Sequence, residues 1–184
     1  MEEIIEKLKK DPRYLKNIEY GEPRPGHPEG QVKLHIAILE TNLEILRNKG
    51  ISLEDYWKLK FLIHVDDLFK AEAQDSTPTL YPYNHATLAK EFASEFTNDT
   101  DLLNTIQYHD ENYELWKEYS QANQYSTDRF QNLLKAIKNW DLFLMFIIID
   151  GCTKGKDYSK LGWFINEVKK YKTTKVDDAW VLAT

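Results

Sequence analysis

Five histidines and the aspartates near them carry the chemistry this chain can offer. The histidines are His27, His35, His64, His85 and His109. His64 stands in His64-Val65-Asp66-Asp67, and His109 directly precedes Asp110. Asp150 closes the apolar run Phe146-Ile147-Ile148-Ile149. Spread over most of the chain, these residues read as ligands delivered from several helices to one place. Mixed imidazole and carboxylate ligands suit Mn, Fe, Co, Ni or Zn, whereas all-oxygen sites suit Mg or Ca. A divalent cation in such a set lowers the pKa of a bound water and polarises a phosphoryl oxygen.

Each residue taken alone has a plainer reading. His35 and Asp150 can be satisfied polar groups of the core. Asp66-Asp67 can be an acidic pair facing solvent at a helix end. His85 and His109 can be surface or helix N-terminal residues. Against this, a buried carboxylate without a partner is strongly disfavoured or stays protonated. Asp66 and Asp67 side by side repel, and a divalent cation relieves that.

The elements that must position these residues are helical. Val32, Ile36, Leu39, Leu43 and Leu46 recur at helical spacing, which predicts a helix over 31–48. His35 flanks its apolar stripe, roughly 40° from Leu39, and Gly50 is placed to end it. Ser52 starts a helix to about Ala73, with Asp55 three residues on. On it His64 and Asp67 share a face, while Asp66 and Asp67 point about 100° apart. Further helices are expected over 2–10, 83–97 (opened by His85), 101–119 (capped by Asn98 or Thr100), 128–149 and 157–171. The second half of the helix over 128–149 is apolar all round and is expected to be central. Residues 19–30, rich in Pro and Gly, and 75–82 read as loops. No segment shows sustained strand alternation. The expected fold is an all-α, single-domain helical bundle.

The whole-chain quantities agree with that reading. The chain has 184 residues, long enough for one domain with a sizeable core, and seven Gly and six Pro in that length favour helices. The net charge of −6 argues against an extended nucleic-acid surface, so an anionic substrate needs a local positive centre. The single Cys152 rules out an internal disulfide and suggests a reducing compartment. The start MEEIIEKLKKDPRYL lacks the apolar region of a signal peptide, and the run Leu142 to Ile149 is too short to span a membrane. The expected location is the cytoplasm.

The order of these residues resembles the HD superfamily of metal-dependent phosphohydrolases, helical domains named for an adjacent His-Asp pair in the pattern H…HD…D. The resemblance covers about residues 24–157, with 1–23 an N-terminal helix and loop and 158–184 a C-terminal helix and tail. Gly26-His27-Pro28-Glu29-Gly30-Gln31-Val32-Lys33-Leu34-His35 is very like the entry of the HD domain appended to bacterial tRNA nucleotidyltransferases. Asp67-Leu68-Phe69-Lys70 resembles the Asp-Leu/Ile-Gly-Lys that follows in many HD proteins. His85 and His109-Asp110 fall where members of that group carry further histidines, and Asp150 where the last metal Asp lies. The chain departs from the pattern in the doublet, which reads Asp66-Asp67, with His64 two residues early and Phe69 in place of Gly.

The resemblance implies a metal-dependent phosphohydrolase acting on a small phosphate ester such as a nucleotide or cyclic nucleotide, by attack of a metal-activated water. His35, Asp67 and Asp150 would be ligands of a divalent metal (Mn, Mg, Fe, Co, Ni or Zn), with Asp66 or His64 as the fourth. His85 and His109 would hold a second metal or the phosphate. Asp110 would orient a histidine or act as general base. Lys70, one turn beyond Asp66, would neutralise the phosphate. Lys154 and Lys156 are further candidates, with solvated surface lysines as the plainer reading. The rival from another class is a degenerate HD-like nucleotide-binding or interaction module, which the altered doublet favours. A third reading is a di-iron oxygenase. The tail, with Trp180, Val181 and Leu182, is free to pack on the body or on a second subunit, so a homodimer is left open.

Overall fold

A computed structural model describes residues 1–25, 28–74, 78–153 and 156–182. These are helical as expected, with no strand ladder among them: α1 Glu2–Leu8, α2 Pro12–Asn17, α3 Val32–Arg47, α4 Leu53–Ile63, α5 His85–Ser94, α6 Thr100–Tyr108, α7 Glu111–Ala122, α8 Thr127–Ala136, α9 Trp140–Gly151 and α10 Ser159–Lys169, followed by a 3₁₀ turn at Asp178–Trp180. No helix among the described residues is long and apolar enough to cross a membrane.

The centre is α9. Trp140 and every residue from Leu142 to Ile149 are buried, so the helix has no solvent face. Burying a large apolar side chain contributes roughly 1.5–3 kcal/mol, and this helix buries nine side chains in succession but for Asp141. Asp150 emerges at its last turn. Asn42 of α3 fixes that end, donating through Nδ2 to the carbonyls of Ile149 and Cys152, both at 2.8 Å. α10 closes on the same end. A Cβ added to Gly151 would stand 2.7 Å from Leu161 Cδ2.

The loop before α3 is pinched shut by two glycines. Gly21 and Gly30 have φ of +117° and +72°, and a Cβ on Gly21 would lie 2.4 Å from the Gly30 carbonyl oxygen. The closed loop supplies acceptors for the start of α3, with Val32 N–H and Lys33 N–H donating to the Tyr20 and Ile18 carbonyls at 2.9 Å. It also brings Glu29 under the first turn.

Several helices are shorter than their periodicity predicts. The helix expected to Ala73 ends at Ile63, and the chain continues in tight turns, with Val65, Leu68 and Lys70 N–H each bonded to the carbonyl three residues back. The helix expected over 101–119 breaks at His109-Asp110, and that over 128–149 breaks at 137–139. At the second break Ile137 is extended and Asn139 caps α9 by accepting from Leu142 N–H at 3.0 Å. Asp99, rather than Asn98 or Thr100, caps α6, accepting from Asp101 and Leu102 N–H. α2, capped by Asp11, has no counterpart in the sequence reading. The tail packs on the chain's own body, where Val176 and Leu182 are buried and Trp180 and Val181 lean on the core.

Candidate metal centre

The breaks in the helices are where the candidate ligands sit. Asp66 and Asp67 lie in the turns after α4, His85 is the first residue of α5, His109 and Asp110 form the joint between α6 and α7, and Asp150 is in the last turn of α9; His35 alone stands within a helix, in the first turn of α3. Side chains at helix ends escape the 100° steps that keep neighbours apart on a continuous helix, so adjacent residues can converge.

They do converge. Ligand atoms of Asp67, His85 and His109 lie within 4.8 Å of one another, a group that could hold a metal ion. Asp67 Oδ1 is 3.7 Å from His109 Nε2 and 4.0 Å from His85 Nε2. The two Nε2 atoms are 3.3 Å apart. The other oxygen of Asp67 faces His35, at 3.7 Å from its Nε2, and accepts from Lys70 Nζ at 2.5 Å. His35 Nε2 is in turn 3.1 Å from Asp150 Oδ1, and Asp150 Oδ1 accepts from Lys156 Nζ at 3.0 Å. Asp67 therefore stands between two groups, His85–His109–Asp110 on one side and His35–Asp150 on the other.

The far nitrogens of two histidines are held from behind. His109 Nδ1 donates to the Ile106 carbonyl at 2.7 Å, since a carbonyl can only accept, which turns Nε2 toward the cluster, where a metal ion would take the place of its proton. His35 Nδ1 stands 2.9 Å from Glu29 Oε1. This carboxylate behind a cluster histidine has no role in the sequence reading, because it reaches His35 from the loop before α3 and not along a helix face. His85 Nε2 lies 3.3 Å from Asp110 Oδ2.

The electrostatics are those of packed carboxylates. Burial raises Asp67, but Lys70, His109 and His35 hold it well below the ordinary range. Asp150 is likewise held low, by Lys156 and His35 against burial. Burial opposes the charged form of His109, yet Asp110, Asp66 and Asp67 push its pKa up to about 10. Asp66 goes the other way. Burial first, then Asp67, push it up to about 8. Both its oxygens are buried and have no hydrogen-bond partner among the described residues. A carboxylate so placed is unfavourable as an anion, and a cation amid His35, Asp67, His109 and Asp150, the charges it feels, would relieve it. The donor set and this unsatisfied carboxylate fit a divalent metal.

Some sequence candidates stand elsewhere. His64 does not join the cluster. Its Nδ1 is 2.8 Å from the Tyr14 hydroxyl and its Nε2 3.2 Å from Glu40 Oε1, so both ring nitrogens are engaged on the far side of the turn. Its removal from the ligand set follows from the end of α4 at Ile63, which turns His64 and Asp67 apart. Lys156 is not a solvated surface lysine but the partner of Asp150. His27 and Lys154 lie outside the described residues.

Two chambers open above the cluster. The first, about 680 Å³, is lined by Asp67, Lys70, His109, Asp110, Asp150 and Lys156, with a distal wall from α7 and α10. The second, about 600 Å³, shares Lys70 and Asp110 with it and reaches His85 and Arg129. No family model, curated protein or solved structure matches this chain. Fold and site define an all-α protein with a His/Asp cluster able to hold a metal ion.

Proposed function

We propose that this chain is a metal-dependent phosphohydrolase of the HD type that acts on a small phosphate ester. The observation that carries the reading is the position of Asp67, with one oxygen toward His85 and His109, the other toward His35 and Lys70, on the floor of an open chamber. His35, Asp66, Asp67 and Asp150 are the residues to hold one divalent ion, and His85, His109 and Asp110 with Asp67 to hold a second. Such an ion supplies Lewis acidity toward a phosphoryl oxygen and a more acidic water. Lys70 brings a fixed positive charge to the phosphate, its ammonium held charged by Asp67, Asp110 and Asp150 against burial. Asp110 Oδ2 lies 3.3 Å from His85 Nε2, so the two present their donor atoms to the same point as ligands of the second ion. Glu29 and the Ile106 carbonyl orient His35 and His109.

A second reading is a binding module without catalysis, favoured by Asp66 where the HD pattern has histidine. Metal analysis of wild type, Asp67→Ala and Asp150→Ala, followed by a phosphate-ester screen with the metal found, separates the two. Bound metal lost in both variants, together with ester hydrolysis, supports the hydrolase. Metal without hydrolysis supports the binding module. Absence of metal, with none taken up from Mn or Mg, removes the hydrolase and leaves a degenerate binding module, to be sought through its ligands and partners.

A further inference from the structure

The first chamber has a distal wall that the hydrolase reading leaves unused. It is built where α7 packs on α10. Tyr113, Trp116 and Lys117 come from α7 and Lys160 from α10. The wall is firmly backed. Trp116 and Trp163 have ring centroids 5.4 Å apart, and Trp163 stacks on Tyr119 at 4.9 Å. Lys117 and Lys160 place their ammonium groups 5.6 and 5.2 Å from the centroid of the Tyr113 ring.

The lysines of this chamber differ in one respect. Lys70 is paired with Asp67, Lys156 with Asp150 and Lys117 with Glu114. Lys160 makes no ion pair among the described residues, and its close partner is the face of Tyr113. Burial, then the neighbouring charge of Lys156, lower its pKa, and the carboxylates of Asp150, Asp110 and Asp157, none of them in ion-pair contact with it, offset this only in part. An ammonium taken partly out of water without a contacting carboxylate is unfavourable, and a ring face compensates it only in part. The chamber, at about 680 Å³, has the volume of a site for a whole small molecule rather than for a lone phosphate. Its floor and its distal wall thus each present a cation to one ligand.

We propose that Lys160 anchors a second anionic group of the ligand, apart from the phosphoryl group that meets Asp67, His109 and Lys70, so that the substrates are phosphate esters carrying a further phosphate or carboxylate. The position of the first group rests on the hydrolase reading; binding at Lys160 does not. Tyr113 and Trp116 supply the apolar surface between the two anions.

The test uses alkane bisphosphonates of graded chain length, with the alkyl monophosphonate of each length as control. Neither kind is a phosphate ester, so no turnover is needed. Affinities are measured by calorimetry on the full-length protein carrying its purified metal, as wild type, Lys160→Met and Lys160→Arg. In wild type, bisphosphonates of at least one length bind more tightly than their monophosphonates. Lys160→Met removes that preference, about tenfold for one charge-assisted hydrogen bond, and leaves monophosphonate binding unchanged. Lys160→Arg retains most of it. Equal affinities at every length in wild type overturn the proposal, as does the same preference in Lys160→Met. Loss of monophosphonate binding in folded Lys160→Met also overturns it, because Lys160 then serves the first group. If Lys160→Met does not fold, Lys160→Gln takes its place. A protein that hydrolyses no ester but shows the Lys160-dependent preference keeps this subsite and loses the hydrolase reading. One that hydrolyses simple monoesters without the preference does the reverse.

Discussion

His35 Nε2 stands 3.1 Å from Asp150 Oδ1, although 115 residues separate them. The contact depends on the register of α3 against α9, and Asn42 sets that register. Asn42 lies two turns after His35 on the same face, and its amide holds the Ile149 carbonyl in the last turn of α9 and that of Cys152 just after it. Asn42→Ala leaves two buried carbonyls without this donor. Chemical denaturation should show a loss of about 1–3 kcal/mol, and bound metal should fall below the wild-type content. A variant of wild-type stability would show that the register is set elsewhere.

Metal binding should raise the melting temperature of chelator-stripped protein. Ligand at a hundred times its Kd stabilises by about 2.7 kcal/mol, so the shift is easily read by calorimetry. Asp67→Ala, which removes the residue between both groups of ligands, should abolish it. An equal shift in the variant would place the metal away from this cluster.

Asp66 should make the metal-free protein sensitive to pH. Its folded pKa, about 8, lies above the ordinary 3.8. A group raised in this way contributes most to stability below its unfolded pKa, and the contribution is lost as pH rises through the folded value. Asp66→Asn keeps the shape and cannot ionise. The stability of Asp66→Asn minus that of wild type should therefore grow between about pH 4 and pH 8 and level off above. Urea denaturation in the presence of chelator measures the difference, and a flat difference across that window would contradict the burial of an unpaired carboxyl. With metal present, the same substitution should weaken metal retention.

His64 should matter for stability alone. It is buried between the Tyr14 hydroxyl and Glu40, so His64→Ala is expected to lower stability by about 1–3 kcal/mol. Metal content per folded molecule should stay at the wild-type value. Its loss would return His64 to the ligand set.

The helical fold and most of the cluster are legible in the chain. α3 is predicted almost to the residue because its apolar spacing, Gly50 and the preceding Pro-Gly loop all agree. His35 and Asp150 can be picked out because an imidazole or carboxylate beside an apolar stripe needs a partner, and Asp67, His85 and His109 by the order of residues that the HD resemblance supplies. The placing of His64 fails for a physical reason. The face it shares with Asp67 exists only on a continuous helix, and apolar periodicity runs on through Val65, Leu68 and Phe69 although the backbone has left α4. The joint at His109-Asp110 is hidden in the same way by Leu102, Ile106 and Leu115, which bury on both sides of the break. Glu29 and Lys160 reach the site through a loop and through packing of α10, neither of which leaves a periodic trace.

The all-round burial of α9 has a mechanical consequence. A helix with a polar face can roll or slide against its neighbours by exposing a little more of one side. This one cannot, because any displacement drives packed side chains into other packed side chains. Asp150 is thus the stationary coordinate of the cluster. The residues at the joints, Asp67, His85, His109 and Asp110, take their places relative to it.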